Sequence, residues 1–159
     1  MDEIALRSGV SKATIYGRWP SKEALCIEAF QVFQPELLPY TSADPRADCA
    51  LFLRDLLAGD RPAPAGLFAR IVAETTGSTD LARIFRERII DPPRAMCEQI
   101  VRRAIAHRQL ARGTNAALAV DLLIGPIFYR RLIEDAIPVE PALPASIVNA
   151  VWTAFAATD

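Results

Sequence analysis

The sequence predicts an all-α protein, with a helix-turn-helix unit at the N-terminus and a larger helical domain behind it. Apolar residues recur at helical spacing in segment after segment, and no run sustains the period-two alternation of a half-buried strand. Glycines and prolines mostly fall at the ends of those segments, where they stop helices. A chain of 159 residues suffices for one sizeable domain plus a small appendage. The division predicted is residues 1–36, the helix-turn-helix unit, and residues 37–159, the larger helical domain.

The N-terminal unit is read from Ile4 to Lys22, IALRSGVSKATIYGRWPSK. Ile4 and Ala5 open an apolar face, and Gly9 ends the first helix because it adopts positive φ without steric cost. Ser11 is placed to cap a second helix. Ala5 lets the two helices cross closely, Val10 and Ile15 fill the space beneath, and Lys12, Ala13, Thr14 and Tyr16 remain outside. Two helices joined at a short glycine-containing corner are the arrangement whose second helix enters a DNA major groove.

This stretch resembles the TetR family of bacterial transcriptional repressors, through Ile4-Ala5, Gly9-Val10-Ser11, Thr14-Ile15-Tyr16, Trp19 and Ser21-Lys22-Glu23 in unbroken register. A later segment, Asp121 to Arg130, looks like the dimer-forming region of one subgroup. The resemblance implies that Thr14, Tyr16 and Lys22 hold phosphates, with Lys22 aided by the amides at its helix N-terminus. It implies that Ser11, Lys12 and Ala13 face base edges; Lys12 suits guanine acceptors and Ala13 a thymine methyl. Trp19 is read as core. Two departures stand out. The family's aromatic-rich helix ahead of the position of Met1 is absent, so the unit is expected to be incomplete at its N-terminus. Ile4, Val10 and Ile15 would then be exposed, at a cost of roughly 1.5–3 kcal/mol per large side chain. Gly17-Arg18 replaces a frequent His: Arg18 still serves a phosphate, while Gly17 weakens the helix end by about 1 kcal/mol.

Further helices follow in order. Ser21 caps one from about Lys22 to Gln34, ended by Pro35 and Pro39. The next runs from Arg46 to Ala58 and is closed by Gly59; a loop spans Asp60 to Ala65. A helix from Ala65 to Thr76 stops at Gly77. The pattern from Leu81 to Leu110 is expected to break at Asp91-Pro92-Pro93, one helix ending near Ile90 and another restarting at Pro92. Arg102, Arg103, His107 and Arg108 crowd the end of the second, where positive charge suits the dipole. A helix from Ala116 to Asp135 is expected to kink at Gly125-Pro126. After a connector with Pro138, Pro141 and Pro144, the last helix runs from Ala145 to Ala157.

The last two helices are apolar on more than one face, which predicts a two-fold homodimer joined through a four-helix interface. Leu122, Ile127, Val151, Trp152 and Phe155 are its expected contributors. In this family the middle helices enclose an apolar ligand cavity. Phe52, Phe68, Phe85, Met96 and Phe128 are the candidates to line one here, around a small hydrophobic molecule.

Composition limits the remaining classes. Hydrophobic residues make up 52%, mean hydropathy is +0.18, net charge −1 and pI about 5.9. That argues against generic nucleic-acid binding, although both lysines, Lys12 and Lys22, fall in the proposed DNA-binding segment. Three widely spaced cysteines without a secretion signal fit a reducing cytoplasm. One histidine, His107, and scattered cysteines offer no metal site, and the motifs of hydrolases, metalloproteases and phosphate loops are missing. No enzyme and no cofactor is expected. The reading is a ligand-released repressor that binds an inverted-repeat operator in double-stranded DNA. Its rival is a helical ligand-binding homodimer that does not bind DNA.

Overall fold

The computed structural model describes residues 1–34, 36–58, 66–133 and 140–157, and every regular element among them is helical. Three short helices come first: α1 (Asp2–Ser8), α2 (Lys12–Arg18) and α3 (Lys22–Gln31). The body follows with α4 (Pro45–Ala58), α5 (Leu67–Thr75), α6 (Thr79–Phe85), α7 (Asp91–Ala106), α8 (Ala116–Ile133) and α9 (Leu143–Ala154). The expected roles of Pro35, Gly59, the 60–65 loop, residues 134–135 and Pro138 fall outside the described residues.

Helix α7 is the centre of the larger core. It packs against α4 on one side and α8 on the other, while α9 lies across α4 and α8. Phe52 and Leu53 of α4, Ile100 and Val101 of α7, and Leu123 and Ile127 of α8 are almost wholly removed from water. Each such side chain contributes about 1.5–3 kcal/mol by burial. Cys49 and Cys97, both fully buried free thiols, meet across α4 and α7. The hydrogen bond between them, together with burial, pushes the Cys49 thiol well above its ordinary range. A second cluster joins Ile27 and Phe30 of α3 to Phe68 and Ile71 of α5, Leu81 and Phe85 of α6, and Ile89. This cluster is the seam between the N-terminal unit and the body.

The expected break at Asp91-Pro92-Pro93 does not occur. Between α6 and α7 the chain passes through a π-helical turn, Arg86–Ile90, and the helical path from Thr79 to Ala106 is continuous. Prolines cannot donate to carbonyls four residues back, so they suit a place where the ordinary hydrogen-bond ladder has already been widened. Asp91 keeps helical angles, φ −66° and ψ −39°, although it precedes a proline. Helix α8 carries Pro126 in its interior, where the kink is expected.

Arg103, in the last turn of α7 as expected, also has a tertiary role. It reaches α4 and the segment before it, donating to Asp48 Oδ2 at 2.9 Å and to the carbonyls of Tyr40 and Ser42. Asp48 is only 3% exposed and also accepts from the Ser42 amide at 2.9 Å. A buried carboxylate needs such partners. His107 is exposed.

Candidate nucleic-acid interface

The corner between α1 and α2 is built by Gly9, which takes φ 69° and ψ 7° while its amide donates to the Ala5 carbonyl at 3.0 Å. A side chain there would be strained, because left-handed backbone brings Cβ against the carbonyl oxygen. Ser11 starts α2: its Oγ accepts the Thr14 amide at 3.1 Å and lies 2.8 Å from Thr14 Oγ1. Ser21 starts α3 in the same way, accepting the Ala24 amide at 3.1 Å. Ile15 is the one residue of α2 that is buried, at 3% exposure, and it fixes which face of the helix turns out.

Lys12, Ala13, Thr14, Tyr16 and Arg18 are consequently exposed along one short helix, and Lys22 is exposed at the start of α3. Two of the core expectations change. Ile4 and Val10 are exposed, at 38% and 41%, so Val10 does not fill the space beneath the corner. Ile15, in contrast, is covered, because α2 turns it inward. Ser11 keeps its hydroxyl for the cap, which leaves less of it for base edges.

Lys12, Arg18 and Lys22 each pair with a carboxylate of the same unit. Lys12 Nζ lies 2.8 Å from Asp2 Oδ1, and the ammonium holds the Asp2 carboxyl below the usual carboxylate range. Lys22 Nζ is 3.8 Å from Glu23 Oε1. Arg18 donates to Glu28 Oε1 at 3.1 Å, while Trp19 Nε1 donates to Glu28 Oε2 at 3.0 Å. The Arg18 guanidinium also sits 4.9 Å from the centre of the Trp19 ring. Trp19 is thus half-buried and tethered rather than fully in the core. Glu28 escaped the sequence reading because its partners lie nine and ten residues back, beyond any helical spacing.

The five residues expected around a ligand are divided. Phe52 is fully buried in the larger core with Tyr40 edge-on at 5.6 Å, and Met96 packs against that core. Phe68 and Phe85 belong to the seam with Phe30, their ring centres 5.9 Å apart. Phe128 touches both clusters and stacks on Phe68 at 5.5 Å. Phe30, on α3, completes this aromatic group and is not among the five. A separate cleft of about 530 Å3 between α7 and the start of α8 is lined by Glu98, Arg102, Ile105 and Arg112, and by none of the five.

Of the residues expected between subunits, Ile127, Val151 and Trp152 are buried within this chain, at 1%, 4% and 5% exposure, and Phe155 is half-buried. Their surface is already used, because α9 packs on α4 and α8 through that face. Leu122 is exposed. With it on α8 lie Leu118, Tyr129 and Ile133, all exposed and all on the side away from the core.

Residues 1–29 match the family described as bacterial regulatory proteins, tetR family, and residues 41–151 match the tetracyclin repressor-like, C-terminal domain. The chain is 30% identical over 140 residues to the uncharacterised HTH-type transcriptional regulator YdeS of Bacillus subtilis, covering 84% of this chain and 68% of that one. It is 24% identical over 152 residues to a similar regulator, Rv1556 of Mycobacterium tuberculosis, covering 95% and 75%. The crystal structure of the TetR family transcription regulator SCO0332 superposes with a TM-score of 0.67 at 27% identity, over 96% of this chain and 84% of that one. A helical dimer without DNA binding is not favoured by these likenesses. The chain belongs to the TetR family of bacterial regulatory proteins and is a ligand-responsive transcriptional regulator.

Proposed function

We propose that the protein is a repressor that binds an inverted-repeat operator as a homodimer and is released by a small hydrophobic molecule. The observation that carries this is the rim of α2, where Lys12, Ala13, Thr14 and Tyr16 stand exposed above the buried Ile15. Lys12 and Ala13 read bases; Thr14, Tyr16 and Lys22 hold phosphates, and Arg18 joins them. It works by binding alone, without catalysis or a cofactor, in the cytoplasm where the DNA is. No helix among the described residues is long and apolar enough to cross a membrane.

Dimerisation is assigned to the outer face of α8, from Leu118 and Leu122 to Tyr129 and Ile133, beside the small outward residues of α9 such as Ala145 and Ala150. Two-fold pairing puts two rims on successive turns of one duplex. The ligand is assigned to the aromatic seam of Phe30, Phe68, Phe85 and Phe128, which includes a side chain of α3. A molecule there favours whichever placement of α3 it binds better, and the rims follow. Selection from a random duplex pool tests the reading: an inverted repeat is expected, and an asymmetric or absent motif would refute it. Lys22→Ala should weaken all duplexes alike and lower the salt slope of binding by about 1. An unchanged slope removes Lys22 from the contact set.

A further inference from the structure

The N-terminal unit spends three of its carboxylates on its own cations. Among residues 1–31 the four acidic groups, Asp2, Glu3, Glu23 and Glu28, balance four basic ones, Arg7, Lys12, Arg18 and Lys22. Three of those basic groups lie within 4.0 Å of a carboxylate. Of these pairs, the one at Glu28 differs in kind. Asp2 is an exposed residue, and Lys22 approaches Glu23 only to 3.8 Å. Glu28 instead stands on α3 and is held by a second, uncharged donor, the indole N–H of Trp19 at 3.0 Å. Its two oxygens are divided, one for the half-buried indole and one for the Arg18 guanidinium at 3.1 Å. The tether keeps the carboxylate at the end of the recognition helix whether or not Arg18 stays.

We infer that Glu28 is a specificity-determining residue that restrains Arg18, so that a DNA phosphate must displace a fixed carboxylate to recruit it. The inference rests on the DNA-binding reading above. A phosphate that takes Arg18 from Glu28 gains one charge-assisted contact and loses another, so the net return is small and the same for every sequence. Binding to unrelated DNA comes mainly from such phosphate contacts, whereas base contacts are untouched. Glu28 therefore lowers sequence-independent affinity more than it lowers recognition. The Trp19 bond gives the same residue a positioning role, tying the last turn of α2 to α3.

The test uses the full chain, a random-sequence 30-base-pair duplex, and affinity measured across a salt series. Glu28→Gln retains an amide oxygen that accepts from Trp19 but no longer holds a cation. It is expected to bind the duplex roughly two- to fivefold more tightly near 0.1 M salt, the worth of an exposed ion pair. Its dependence of log K on log salt should be steeper by up to about 0.9, as Arg18, only partly recruited in the wild type, then holds its phosphate in full. In an Arg18→Ala background the same substitution should change neither. Glu28→Gln with unaltered affinity and slope overturns the inference while leaving DNA binding intact. A gain that persists without Arg18 overturns it too, since the effect would then be plain removal of negative charge. If the wild-type chain shows no salt-dependent binding to the duplex, the DNA-binding reading and this inference fall together.

Discussion

Tyr40 shows how a single side chain carries a pH dependence. Its hydroxyl donates to Asp55 Oδ2 at 2.8 Å, and burial, then the Asp55 hydrogen bond and charge, raise the phenol well above the ordinary tyrosine value. An unfolded phenol gives up its proton near pH 10, while the folded one keeps it. Unfolding above that pH therefore releases a proton, so the native state loses stability as pH rises through and beyond 10. Tyr40→Phe should be flatter between pH 9 and 11 in urea midpoint, although less stable at neutral pH for want of the Asp55 bond; equal slopes would contradict this. None of that was legible in the sequence, where Tyr40 stands in a proline-bounded loop fifteen residues from its partner. Ile15 was legible as an inward residue, because helical spacing fixes its side. The degree of its burial was not, since that depends on how α2 settles against its neighbours.

At the scale of elements, the sequence announces starts and stops better than it does continuity. Ser11 and Ser21 cap α2 and α3 as their chemistry dictates, and Gly9 makes the corner. The Asp91-Pro92-Pro93 run, by contrast, carries a strong stop signal that the π turn overrides. Local rules treat proline as a terminator, and only the packing of Phe85 and Ile89 into the seam explains why the helix goes on. Within α2, Gly17 has open space where a Cβ would be and needs no unusual backbone. Gly17→Ala should accordingly stabilise the helix by about 0.5–1 kcal/mol. Slower amide exchange across Lys12–Arg18 would register the gain, and unchanged exchange would show that the helix is limited by its packing instead.

For the molecule as a whole, the all-α architecture was readable from periodicity, but the division of faces was not. Val151, Trp152 and Ile127 are as apolar as any interface requires, and nothing in their spacing says that one chain consumes them. Exposure singles out Leu122 instead. Leu122→Glu should convert a dimer into a monomer in sedimentation at micromolar concentration, since a charge at the centre of an apolar contact is not compensated; a persisting dimer would move the interface elsewhere. The π turn has one more effect, on alignment. In an unbroken α-helix, Leu81 and Cys97 would point roughly 160° apart around the axis, at about 100° per residue. A turn that takes in one extra residue cuts this to roughly 60°. The wide turn is thus a phase corrector: with it, a single rod faces the aromatic seam with one half and the main core with the other. Deleting one residue from Arg86–Ile90 would restore ideal hydrogen bonding and leave one of those halves aimed at water.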